Sequence, residues 1–168
     1  IASNTSALSL TEMSAALSDP GRAVGMHFFN PVHKMKLVEI VQTSDTTSET
    51  VQAIEEIGRQ MGKETVVIRE SPGFVTSRIN ATIGNEAFFM LQEGIASARD
   101  IDKALKLGLN HPMGPFELVD LVGLDTRLSV LKFLHRTLGE KYRPCPLLEE
   151  YVQAGRLGKK VGKGVYEY

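Results

Sequence analysis

The sequence lacks any excess of charge: nineteen Lys and Arg face twenty Asp and Glu, a net of −1. It therefore has no positive field with which to concentrate nucleic acid or an anionic membrane surface. No apolar run approaches the roughly 20 residues that cross a bilayer. The opening IASNTSALSL has neither the basic nor the apolar region of a signal peptide. Cysteine is limited to Cys145, which excludes an internal disulfide and suits a reducing compartment. A cytoplasmic setting is the default expectation. His33, His111 and His135 have no metal-ligand spacing with one another or with Cys145, so no metal site is expected. No internal repeat or low-complexity linker interrupts the chain. What remains is 168 residues, 42% hydrophobic and 23% charged, the composition of an ordinary globular protein. The length allows one domain of about 150 residues or two small ones.

The first seventy residues read as strand and helix interleaved. Ile1-Ala2 runs directly into the polar turn Ser3-Asn4-Thr5, as a buried strand does when it meets its loop, and Ile1 is not an initiator methionine, so the chain is read as beginning mid-fold. Ser9 followed by Glu12 is a capping-box pattern for a short helix to about Leu17, closed by Asp19-Pro20-Gly21. Strands are expected at 22 to 28 and 36 to 41. The second, KLVEIV, is apolar on both faces except for Glu39. Residues 47 to 61 carry Val51, Ile54, Ile57 and Met61 at helical spacing before Gly62, a natural left-handed cap, and the β-branched run 65 to 68 follows.

From Ser71 the pattern is helical. Ser71-Pro72 has the chemistry of an N-cap with proline in the first turn, and Val75, Ile79, Ile83, Ala87 and Met90 form a stripe that runs to Gly94. Ser97 with Asp100 caps a helix ending near Gly108, and Pro115 begins one that stops at Gly123. Asp125 is placed to cap a helix from 126 to 138, and 146 to 154 makes a last short helix. The tail GRLGKKVGKGVYEY reads as a mobile basic segment, since it lacks the spacing and the Ser/Thr of a P-loop. A module boundary falls at about 69 to 72.

His27 and Glu39 lie on the two neighbouring strands of the first module. If those strands pair antiparallel about His33, residues whose numbers sum to 66 face each other, which sets His27 opposite Glu39. A carboxylate beside an imidazole fixes its tautomer and stabilises the imidazolium, which makes a general-base unit. The same pair also reads as a buried histidine satisfied by a structural acid. Asn30 lies in the intervening loop, where its amide can bind a ligand oxygen or act as a turn residue before Pro31. Ser3-Asn4-Thr5-Ser6 ends a strand, the place where ligands bind in open α/β sheets, and capping is its other reading. Ser6 lacks the sharp turn of an activated serine. Lys160 has a stem long enough to reach an anionic ligand or a cofactor amide.

Together SNTSAL at 3 to 8, GMHFFNPV at 25 to 32, KLVEIV at 36 to 41, SPGFV at 71 to 75, DIDKALKLG at 100 to 108, HPMGPFEL at 111 to 118, VGLDT at 122 to 126 and the terminal GKKVGKGVYEY make the chain resemble, over essentially its whole length, the C-terminal part of a short-chain L-3-hydroxyacyl-CoA dehydrogenase. The resemblance implies oxidation of the 3-hydroxyl of an acyl-CoA, with hydride passing to NAD. It implies His27 as the base and Glu39 as its partner, Ser6 and Asn30 near the substrate oxygen, Asn4 on the nicotinamide side, and Lys160 near the cofactor. Ser77 departs from the pattern, which often carries Asn there beside Arg78; a hydroxyl spans less distance to substrate or cofactor.

The family's G-x-G-x-x-G turn and ribose-binding acid are not in these 168 residues. The expected architecture is α/β plus all-α: a C-terminal remnant of a Rossmann-like dinucleotide-binding domain (1–70), with about three strands of a larger parallel sheet, followed by an all-helical dimerisation and substrate domain (71–168). Such a chain is expected to be a fragment with little turnover alone, to pair as a homodimer through its helices, and to bind neither nucleic acid nor membrane. The competing reading is a non-catalytic helical dimerisation or acyl-CoA-binding module.

Overall fold

Short β-branched and apolar runs separated by polar turns build a sheet from the first part of the chain. The computed structural model describes residues 1–5 and 9–168, which divide into the units Ile1–Val75 and Thr76–Tyr168. Among the described residues of the first unit the strands are β1 (Ala2–Ser3), β2 (Val24–Phe28), β3 (Leu37–Gln42) and β4 (Glu64–Arg69), in the order β1-β2-β3-β4. β1 is parallel to β2, β2 antiparallel to β3, and β3 parallel to β4. Among the described residues the sheet is thus mixed and four-stranded, where about three strands of a parallel sheet were expected of the domain, and the antiparallel pairing of β2 with β3 is the one that the register about His33 requires. The reversal at β3 follows from the short connection 29–36, which is long enough for a hairpin but too short for a parallel crossover.

Alternation along the strands divides the sheet into two faces. On one, Val24 and Ile40 pack with Val51 and Ile54 of helix α2 (Ser48–Gln60). On the other, Val41 packs with Ile68, Phe74 and Leu10 of α1 (Leu10–Ser14). Gly25 permits the second contact, because a Cβ there would lie 2.7 Å from Leu10 Cδ1. Ser9 caps α1 by accepting from Glu12 N, as the capping pattern predicts. The remaining N-terminal donors of α1 are met from far along the chain, with Glu70 accepting from Leu10 N at 2.6 Å and Thr11 N at 3.1 Å.

The second unit contains α3 (Thr76–Gln92), α4 (Ala98–Gly108), α5 (Pro115–Val122), α6 (Leu124–Leu138) and α7 (Pro146–Gln153). Its core is built on Phe88, Phe116, Val119, Leu124, Leu131, Leu134 and Leu148. Two helix starts differ from expectation. α3 begins at Thr76 and not at Ser71-Pro72, because Gly73 and Phe74 take φ of +76° and +50° and turn the chain out of the helical path. α6 begins at Leu124 after Gly123, so Asp125 sits inside the first turn instead of capping it.

The tail is the largest correction. It is not a mobile basic segment but an ordered strap with isolated bridges between Gly158 and Lys163 and between Lys163 and Glu167. Two buried acids hold it. Asp120 accepts from Val165 N (2.8 Å), Tyr166 N (2.9 Å) and the Tyr168 hydroxyl (2.9 Å). Asp102 accepts from the Tyr166 hydroxyl at 2.6 Å while also receiving Phe116 N and Glu117 N at the start of α5.

Candidate active site

β2 and β3 pair in the register in which residue numbers sum to 66, with His27 opposite Glu39. Directly opposed residues of an antiparallel pair project to the same face, and His27 Nδ1 lies 2.8 Å from Glu39 Oε2. His27 is 6% exposed and Glu39 is fully buried. An ionised carboxylate only accepts, so Nδ1 carries the hydrogen it donates to Glu39, and Nε2 is left with its lone pair. This tautomer is the one a general base requires.

The imidazole is also bracketed by aromatic rings. Phe29 stands 4.9 Å from it and Phe74 stands 5.3 Å from it, centroid to centroid, each inclined at 61°. Both rings thus lie edge-on to the imidazole. Phe74 reaches this place through an unusual backbone. A bulky residue at φ +50° is uncommon and costs about 1–2 kcal/mol.

Asn4 stands beside the pair. Its Oδ1 accepts from Phe28 N at 2.9 Å, tying the loop after β1 to the end of β2. Its Nδ2 donates to nothing among the described residues and remains available to a ligand carbonyl. Asn30 is exposed in the loop directly after β2, following a short interval from His27, and its peptide bond to Pro31 is cis. Ser6 lies outside the described residues.

Ser77 and Lys160 belong to the second unit. Ser77 occupies the first turn of α3, half-buried, beside Arg78, which donates from Nε to the Tyr142 hydroxyl at 2.6 Å. Lys160 is committed to an ion pair in which its Nζ lies 2.6 Å and 2.7 Å from the two carboxylate oxygens of Asp125. That contact holds the Asp125 carboxyl below the usual range. The structure therefore brings together His27 and Glu39, with Asn4 one residue removed through Phe28.

Sequence reasoning did not find Phe74 as a neighbour of His27. The available signal was Gly73-Phe74 after Pro72, a turn-forming stretch read there as the start of a helix. It also did not find the acids that order the tail, Asp102 and Asp120, which look like ordinary polar positions on helices.

Comparison with known proteins places these motifs in a wider group. Residues 1–71 match the family described as 3-hydroxyacyl-CoA dehydrogenase, NAD binding domain, and residues 73–168 match 3-hydroxyacyl-CoA dehydrogenase, C-terminal domain. The chain is 50% identical over 169 residues to a Bacillus subtilis protein named "Probable 3-hydroxybutyryl-CoA dehydrogenase", covering 100% of the chain and 59% of that protein. It is 41% identical to the human mitochondrial hydroxyacyl-coenzyme A dehydrogenase, covering 99% of the chain and 54% of that protein. The crystal structure of (S)-3-hydroxybutyryl-CoA dehydrogenase PaaH1 from Ralstonia eutropha superposes with a TM-score of 0.95 at 48% identity, covering 99% of the chain and 59% of that structure. The chain thus spans a little over half the length of these relatives.

Proposed function

Since the chain belongs to the 3-hydroxyacyl-CoA dehydrogenase family, we propose that it supplies the general base for NAD-dependent oxidation of an L-3-hydroxyacyl-CoA to the 3-ketoacyl-CoA. The substrate is short-chain, 3-hydroxybutyryl-CoA, by the names its relatives carry, and the reaction belongs to fatty acid or butanoate metabolism. The observation that carries this reading is the 2.8 Å contact between His27 Nδ1 and Glu39 Oε2 in a buried setting.

His27 Nε2 accepts the proton of the 3-hydroxyl as the C3–H bond breaks. The charge that develops on the imidazole is met by Glu39 through Nδ1–H, so the acid stabilises the imidazolium without itself taking the proton. The hydride that leaves C3 would pass to a bound NAD, whose chemistry here is that of the hydride acceptor. Asn30 and Ser6 orient the substrate oxygen, and Ser77 contributes one hydroxyl to substrate or cofactor. Asn4 offers its free Nδ2 to the nicotinamide amide, an assignment supported by its place one strand from His27. Lys160 lends the N–H not used by Asp125 to the cofactor.

Residues 1–70 act as the cofactor-side domain and 71–168 as the domain of dimerisation and substrate contact. The proposed homodimer forms through the helices of that second domain. The 168 residues contain no G-x-G-x-x-G turn, so they do not themselves provide the pyrophosphate grip of a dinucleotide site. Among the described residues no helix is long and apolar enough to cross a membrane, and the proposed setting is cytoplasmic.

Substituting His27→Gln in the full-length protein tests the reading. Loss of the base lowers kcat by about 10²- to 10⁴-fold, with KM for the acyl-CoA little changed. Wild-type activity in that variant favours a non-catalytic binding or dimerisation module.

A further inference from the structure

The strained turn at 71–74 ends in an aromatic ring laid against the proposed base, and the pairing of those two features is informative. Gly73 adopts φ +76°, and Phe74 follows at φ +50°, with Phe74 N donating to Ser71 O at 2.9 Å. Glycine is the residue that such a conformation ordinarily selects. A phenylalanine held there keeps a large side chain at a backbone expense, and strain of this kind persists where the surroundings over-determine it and gathers at functional sites. The ring is 7% exposed, packs with Leu10, Val41 and Ile68, and stands 5.3 Å from the His27 ring. Phe29 flanks the same imidazole.

We propose that Phe74 is a positioning residue for His27, its ring fixing the plane of the imidazole so that Nε2 stays aimed while Nδ1 stays on Glu39. The proposal rests on the reading of His27 as the base. Glu39 anchors one ring atom, and a single hydrogen bond leaves the imidazole free to rock about it; the two flanking rings remove that freedom. Correct aim is what the proton transfer needs, since a small misplacement of a reacting group costs far more in rate than in binding.

Phe74→Leu and Phe74→Tyr separate this role from simple packing. Both retain a β-carbon and hence the same backbone strain, both keep apolar bulk in the cluster, and only Tyr keeps the ring. In the full-length protein, Phe74→Leu is expected to lower kcat roughly tenfold with KM for the acyl-CoA unchanged. Phe74→Tyr is expected to stay near wild type. Assayed alongside, His27→Gln reports on the underlying reading: if it is inactive while Phe74→Leu has full kcat, the positioning role is wrong and the base assignment stands. If His27→Gln is active, both fall.

A measurement on the unaltered protein covers the case in which Phe74→Leu fails to fold. Proton NMR is expected to give a His27 Nδ1–H resonance in slow exchange with water, with cross-relaxation between the His27 and Phe74 ring protons. Absence of that cross-relaxation overturns the proposal. In a folded Phe74→Leu variant the Nδ1–H resonance broadens, whereas a merely structural phenylalanine leaves it sharp.

Discussion

His27 and Glu39 are twelve residues apart in the chain and 2.8 Å apart in the fold, joined across the β2–β3 pair. Glu39 has no solvent to fall back on, and neither does the Nδ1–H it accepts. Replacing Glu39 with Ala leaves a buried donor unmatched, a loss of about 1–3 kcal/mol in stability. Replacing it with Gln is gentler on the fold but removes the negative charge that meets the imidazolium and lets the ring adopt the wrong tautomer. In the full-length protein Glu39→Gln is expected to lower kcat at least about 100-fold while unfolding within about 1–2 kcal/mol of wild type. Steady-state kinetics and urea denaturation check both, and a kcat equal to wild type would remove Glu39 from the mechanism.

This pair was legible before the fold was known, because the strands on either side of the Pro31 turn are short and a single register opposes their one imidazole and one carboxylate. The caps at Ser9 and Ser97 were equally readable, each being a local bond between a side chain and a backbone N–H three residues on. Phe74 was not, since its ring contact depends on a left-handed turn that only the tertiary structure enforces. Nor was the strap at 158–168, whose order comes from Asp102 and Asp120, more than forty residues earlier in the chain. Periodicity records which face of an element is buried, but not which distant backbone donor an acid on that face will receive.

Asp102 makes the strap sensitive to pH. Burial pushes its carboxyl above the ordinary range, and the hydrogen bonds from Tyr166, Phe116 and Glu117 offset part of that rise. The folded state therefore holds this proton more tightly than the unfolded chain does. The stability it contributes is present below the ordinary value near 3.9 and is lost as pH rises through the raised folded value. Asp102→Asn is expected to remove that component from a plot of unfolding free energy against pH. At neutral pH it should cost about 1–3 kcal/mol, because an amide can accept from fewer of the three donors. An unchanged urea midpoint at pH 7 would mean that the strap does not depend on this acid.

Lys160 offers a cleaner separation of stability from cofactor contact. Its pair with Asp125 is close to half-exposed on both sides, so Lys160→Met is expected to cost less than about 1 kcal/mol, and less again at high salt. The Asp125 carboxyl, lowered mainly by its hydrogen bond from Lys160, contributes stability above about pH 4 that fades as pH falls through its folded value. If Lys160 also touches the cofactor, Lys160→Met in the full-length protein raises KM for NAD and leaves kcat intact. An unaltered KM for NAD confines Lys160 to a structural role.

Arg127 is the place where the helical unit gives up stability. The residue is 4% exposed on α6, and among the described residues neither Nε nor Nη2 of its guanidinium has a hydrogen-bond partner. It lies close to Gly84 of α3, where an added Cβ would come within 3.7 Å of Nε. Burial drags its pKa down to about 10, so the side chain is still charged at neutral pH and bears the full desolvation penalty there. For a base held below its ordinary value the sign is unfavourable to folding at low pH, and the penalty is relieved only as pH rises through about 10. Arg127→Met keeps the length of the stem and removes the charge, and is expected to stabilise the protein by about 1–4 kcal/mol at pH 7. That advantage should shrink as pH approaches 11. Chemical denaturation of both proteins between pH 7 and 11 tests it, and a less stable Met variant would reveal that the guanidinium is compensated by a partner after all.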